Sequence, residues 1–143
     1  VLEVAVAAPV DRVWKAWTDP EQLVRWLANA ANVQVQVGGP YELFWEPDRP
    51  ERNSTQGCQI TAMHECEWIS FTWKGPEPYA DLMNSEPLPT SVKVLLRAMG
   101  PAQTIVRLEH AGWGDGPRWA EARHWQEHAW QIALTELRRQ MEQ

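Results

Sequence analysis

Pro117 to Gln143, the last 27 residues, constrain the fold more than any other stretch. The segment PRWAEARHWQEHAWQIALTELRRQMEQ contains no glycine and no proline after its first position. Trp130, Leu134, Leu137 and Met141 recur at i, i+4, i+7 and i+11, which lines one face of a helix with 3.6 residues per turn. Trp119, Trp125, Ala129, Ile132 and Ala133 are further apolar positions of the same segment. Asp115-Gly116-Pro117 predicts the cap, with Pro at the first helical position. Most of the upstream chain reads as strands, so this helix needs a sheet to lie on.

The first strand sets Leu2, Val4 and Val6 against Glu3, Ala5 and Ala7. Pro9 then opens a short helix with Val10, Val13, Trp14 and Trp17 at i, i+3, i+4 and i+7. A second short helix follows, with Asp19 as N-cap, Pro20 at the first position and Leu23, Trp26 and Leu27 as its apolar stripe. Val33, Val35 and Val37 alternate with glutamines and predict a strand. Gly38-Gly39-Pro40 turns the chain into Tyr41, Leu43 and Trp45, and polar residues 46–56 read as a loop. Gly57–His64 and Glu67–Lys74 predict a hairpin. Gly75–Thr90, with four prolines, reads either as a lid or as a loose hairpin end. Val92, Val94, Leu96 and Ala98, then Thr104, Val106, Leu108 and His110, form the last two strand faces. Hairpin connections and one apolar side per strand imply an antiparallel sheet covered on one face, in the α+β class.

At 143 residues the chain predicts one domain, residues 1–143, with a sizeable core. Ten tryptophans imply a thick aromatic core with indole N–H groups seeking partners, or an internal pocket that some of them line. The net charge of −6 and pI near 5.2 argue against nucleic acid as a main partner, which needs clustered Lys and Arg. No apolar run reaches the ~20 residues that span a membrane, and no signal peptide is visible ahead of the first strand, so a cytoplasmic location is expected. Cys58 falls within a strand and Cys66 in a turn, which predicts two free thiols.

Several local patterns coincide with one family. They are Ala8-Pro9 leading into Val13-Trp14, then Thr18-Asp19-Pro20 followed by Leu23 and Trp26, then Gly39-Pro40-Tyr41. Gly57 opening a strand, Phe71-Thr72-Trp73, Thr104 through His110-Ala111-Gly112-Trp113, and Trp130 with Leu134 and Leu137 complete the set. In this order the chain resembles the SRPBCC (START-like, Bet v 1-like) superfamily, specifically the bacterial proteins grouped with the activator of Hsp90 ATPase homologue 1-like family. Ala129 stands where that family usually has Gly before the helix Trp. The resemblance implies a helix-grip fold: a curved antiparallel sheet of about six to seven strands wrapped around the long C-terminal helix, with two short helices after the first strand. It also implies a cavity between helix and sheet for an apolar or amphipathic small molecule. A chaperone-binding surface is the other implication, and a homodimer is allowed.

Strand parity gives an expected lining of Trp26, Tyr41, Leu43, Trp45, Ile60, Phe71, Trp73, Val94, Leu96, Val106, His110, Trp130 and Leu134, with Tyr41, His110 and the indole N–H groups as polar tips. The competing expectation is that these large side chains fill the space themselves. His110 is either a ligand-facing group or, the preferred reading, a hydrogen-bonded anchor for the loop after its strand. His124 and His128 share a helix face at i, i+4, but HWQEH lacks the HExxH order and a solvated face is the preferred reading, so no metal site is expected. No nucleophile elbow, phosphate-cradling loop or dinucleotide fingerprint occurs. Nothing in the pattern requires catalysis or a cofactor. Binding of an apolar ligand without transformation is the first expectation. A cyclase-, aromatase- or hydrolase-type enzyme using Tyr41 or His110 as acid or base is the alternative, alongside a chaperone-associated interaction domain.

Overall fold

A computed structural model describes residues 1–142. Seven strands and four α-helices follow in the order β1 (Leu2–Val6), α1 (Val10–Thr18), α2 (Pro20–Leu23), β2 (Ala30–Val33), β3 (Tyr41–Phe44), β4 (Ile60–His64), β5 (Trp68–Thr72), α3 (Ala80–Met83), β6 (Ser91–Ala98), β7 (Thr104–Ala111) and α4 (Pro117–Met141). The strands β1-β7-β6-β5-β4 form one antiparallel sheet, and β2-β3 a second. Backbone bonds bind the two together: Tyr41 N–H donates to Cys58 at 2.8 Å and Ile60 N–H to Gly39 at 2.9 Å. The architecture is the expected α+β helix-grip arrangement.

Alternation decides which face of the large sheet is covered. Val92, Val94 and Leu96 of β6 and Thr104, Val106 and Leu108 of β7 are buried toward α4. On the opposite face Arg107 pairs with Glu109 at 2.9 Å and with Glu3 at 3.4 Å. The helix buries Ala122, Gln126, Trp130, Leu134, Leu137 and Met141, so the stripe read from the sequence continues two turns upstream through a glutamine. Gln143, the last residue of the expected helix, lies outside the described residues. Among the strands, α4 runs closest to β1.

Local chemistry explains most boundaries. Asp19 caps α2 through its carboxylate, which accepts from Glu21 N–H at 3.0 Å ahead of Pro20. At α4 the cap falls within Asp115-Gly116-Pro117: Gly116, at φ 109°, is the N-cap without a side-chain bond, and Pro117 stands in the first turn. Gly112, at φ 95°, turns the chain out of β7, where a Cβ would lie 2.0 Å from the Pro89 carbonyl oxygen.

Three expectations need correction. The strand predicted from Val33, Val35 and Val37 ends at Val33 and begins earlier, at Ala30. Val33 pairs with Tyr41, so residues 34–40 are the connection between β2 and β3, and the valines at 35 and 37 stay exposed. Alternation alone does not make a strand where no neighbour is left to pair. Cys58 precedes β4 rather than lying inside it, although both cysteines are free as expected. Finally, Gly75–Thr90 joins the paired strands β5 and β6 but is not loose, since it contains a 3₁₀ turn (Glu77–Tyr79) and α3. Met83 is fully buried, the Asn84 side chain bonds both backbone groups of Gly75, and Arg118 of α4 holds Asp81 and the Pro78 carbonyl.

Candidate ligand cavity

Because α4 leans on β1, a wedge of space opens on its other flank, toward α2, β3 and the end of β5. A cavity of about 680 Å³ occupies it, a size that holds an ordinary small-molecule ligand. Trp26 and Leu27 close one side, Trp45 another, and Trp73 at the end of β5 the sheet side, with Trp130 of α4 against it. Trp125, Ala129, Ile132, Ala133 and Glu136 of α4 form a second stripe beside the buried one and line the helix side. Pro76 and Pro78 of the pinned segment contribute a further wall. Trp125 and Ile132 are exposed and mark the outer edge.

Of the thirteen side chains expected to line a pocket, Trp26, Trp45, Trp73 and Trp130 border this cavity. Tyr41, Leu43, Ile60, Phe71, Val94, Leu96, Val106 and Leu134 lie in the packed core behind it and do not border it. His110 borders a separate cavity of about 20 Å³ together with Leu2, Trp113 and Arg123. The wall residues that strand parity missed are Leu27, Glu46 and others from α4, from residues 53–54 and from 74–78. Those of α4 left a sequence signal in their apolar spacing at i, i+4, i+7 and i+8, and the 75–78 stretch in its prolines.

The indole rings touch at short range, Trp73 to Trp130 at 4.9 Å and Trp45 to Trp73 at 6.2 Å between centroids. Their N–H groups are consumed inside the protein. Trp26 donates to the Ala16 carbonyl at 2.9 Å, Trp45 to Leu27 at 2.8 Å, Trp73 to Gln126 Oε1 at 3.3 Å and Trp130 to His110 Nδ1 at 3.1 Å. These indoles therefore offer carbon surface and π faces to the cavity rather than hydrogen bonds.

The two candidate acid–base groups are committed elsewhere. Tyr41 is fully buried, stacks on Phe71 at 3.9 Å and donates its hydroxyl to the Trp17 carbonyl at 2.6 Å. Burial pushes its phenol far above the ordinary range. His110 is pushed down to about 3, first by burial and then by the Arg123 guanidinium, so it stays neutral near pH 7. Its backbone carbonyl accepts from Trp113 Nε1 at 3.0 Å, and the Trp113 ring lies 4.5 Å away. This is the geometry of an anchor for the loop after β7. His124 and His128 are exposed on α4.

Residues 7–142 match the family model described as Activator of Hsp90 ATPase homolog 1-like protein. The chain belongs to this family. Solved structures of similar shape include a Mesorhizobium loti protein, 20% identical with a TM-score of 0.71, covering 96% of this chain and 93% of its own. The Aha1 dimer from Colwellia psychrerythraea is 18% identical with a TM-score of 0.70, covering 99% and 93%. An HSP90 activator from Plasmodium falciparum is 20% identical with a TM-score of 0.67, covering 94% and 90%. At these identities the likeness establishes the helix-grip fold of the AHSA1-like family and no individual activity. Among curated proteins no sequence match is found. No helix of the described residues is long and apolar enough to cross a membrane.

Proposed function

We propose that this AHSA1-like protein binds an apolar small molecule in the cavity between α4 and the sheet, without transforming it. The observation that carries this reading is an open space of about 680 Å³ walled by Trp26, Trp45, Trp73 and Trp130, whose N–H groups are already paired. Such a surface removes apolar area from water at about 25 cal/mol per Å², and it lacks the converging nucleophile, acid and base that turnover needs. Tyr41 and His110, the two residues on which the enzymatic alternative rested, are both committed to structure and do not border this cavity.

Native mass spectrometry of the purified protein, followed by denaturation to release any bound molecule, is the direct test. A co-purified apolar compound supports the reading, as does an increase in melting temperature with naphthalene derivatives that Ala133→Phe suppresses by filling the cavity. An empty protein with no thermal shift across a panel of apolar compounds overturns it. That outcome turns attention to the chaperone contact carried by the family description and by the Plasmodium relative, with Trp125 and Ile132 as exposed apolar side chains for a partner. Light scattering on the same sample tests whether this chain dimerises as its Colwellia relative does.

A further inference from the structure

One buried polar side chain in the cavity wall has hydrogen-bonding capacity left over. Gln126 sits one turn before Trp130 on the buried stripe of α4, is only 4% exposed, and borders both the large cavity and the small one beside His110. Its Oε1 accepts from Trp73 Nε1 at 3.3 Å. An indole N–H can only donate, so the amide oxygen is fixed on that side and the nitrogen, with two hydrogens, faces the other way. Among the described residues nothing accepts from that nitrogen. Among the other polar side chains of the wall, Ser54 donates its hydroxyl to the Pro50 carbonyl at 2.5 Å, and the Asn53 amide donates to Glu46.

The same logic applies next door. Trp130 donates to His110 Nδ1, which places the imidazole proton on Nε2, and Nε2 is buried without a partner. The cavity of about 20 Å³ beside it has room for about one water molecule. Gln126 borders both spaces. In the large cavity, an apolar ligand that expels water from the Gln126 amide without supplying an acceptor forfeits a hydrogen bond, so a ligand that supplies one is favoured there over a pure hydrocarbon.

We infer that the ligand of the large cavity is an apolar molecule bearing a neutral acceptor oxygen, such as a ketone, aldehyde or ester carbonyl, which accepts from the Gln126 side-chain amide. A carboxylate fits this position poorly. Arg123, the cation nearest the small cavity, is exposed and paired with Glu127 at 3.1 Å. Lys74 borders the large cavity together with two acids, Glu46 and Glu136, and its ammonium lies beside Gly57, which is not part of the wall. An anion against indole faces would be desolvated with no counter-ion at Gln126. This assignment rests on the cavity being a ligand site, and it adds the chemistry of the ligand's polar end.

The test compares 2-acetylnaphthalene with 2-ethylnaphthalene, two molecules of the same carbon skeleton that differ by the carbonyl oxygen. Calorimetric titration of the wild type and of Gln126→Met gives the affinity of each. We expect Gln126→Met to weaken the ketone by roughly five- to ten-fold relative to the hydrocarbon, the worth of one hydrogen bond. Infrared spectroscopy of the ketone bound to wild-type protein is independent of whether the variant folds, and its carbonyl stretch should lie below its value in an alkane solvent. Equal effects on both compounds, or an unshifted carbonyl stretch, overturn the assignment to Gln126 while leaving the cavity as a ligand site. If the wild type binds neither compound, the ligand-site reading falls and this inference falls with it.

Discussion

The Tyr41 hydroxyl and the His110 ring are the most buried acid–base groups beside the site, and both act on stability rather than on ligand. Tyr41→Phe leaves the Trp17 carbonyl without its 2.6 Å donor, so urea unfolding should show a loss of about 1–2 kcal/mol. Ligand affinity should hardly change, because Tyr41 does not border the cavity. His110 is neutral when folded, with a value near 3 against 6.5 for the free group. Between those values the unfolded chain binds the proton and the folded chain does not. The contribution of neutral His110 is therefore fully present above pH 6.5 and is lost as pH falls toward 3. Between pH 6 and 5, above the carboxylate range, stability should drop by about 1 kcal/mol per pH unit. His110→Phe should flatten that slope in denaturation curves taken across the interval.

Each structural element carries its share of the fold through a particular face. On α4, Leu137 is fully buried while Ile132, five residues earlier, is 60% exposed. Leu137→Ala should cost about 2–5 kcal/mol through the cavity it leaves, whereas Ile132→Ala should stay within about 0.5 kcal/mol and instead weaken ligand binding at the cavity edge. Paired chemical denaturation and titration separate the two effects. The turn after β7 is equally specific. A Cβ at Gly112 meets the Pro89 carbonyl oxygen at 2.0 Å in a backbone conformation that suits glycine, so Gly112→Ala should destabilise by about 1–3 kcal/mol in thermal melts. The pinned 75–84 segment shows how an element becomes part of a site. Pro76 and Pro78 border the cavity because Met83 is buried under Gly75 and Arg118 ties Asp81 to α4.

At the scale of the whole molecule, function follows from an asymmetry. The helix closes on β1, and the far flank is left as the wedge that the proposed ligand fills. Binding to the folded state alone stabilises it by mass action, by about 2.7 kcal/mol at a ligand concentration one hundred times Kd. Differential scanning calorimetry with 2-ethylnaphthalene should therefore show a concentration-dependent rise in melting temperature. Loss of that rise in Ala133→Phe, at an unchanged melting temperature without ligand, would locate the binding in the wedge.

The sequence by itself determined the α+β class, the order of the strands and of α1, α2 and α4, the buried face of α4 from Trp130 to Met141, the Asp19-Pro20 helix start, the turn at Cys66 and the family. All of these are written in local periodicity, in capping residues and in glycine or proline at turns, which act over a few neighbouring residues. Periodicity also says which side of a strand is apolar, and so it turned Phe71, Val94 and Val106 inward, where they were expected to line the pocket. It cannot say which part of that core faces empty space. Only the tertiary structure decided that Trp26, Trp45, Trp73 and Trp130 border the cavity while eight other expected residues pack behind it. The cause is the lean of α4 toward β1, set by long-range packing that no local pattern encodes. The partners of the indole N–H groups are likewise non-local, as Trp73 and Gln126 stand 53 residues apart. For the same reason the valines at 35 and 37 misled: their alternation was real, but Val33 pairing with Tyr41 had already closed the hairpin.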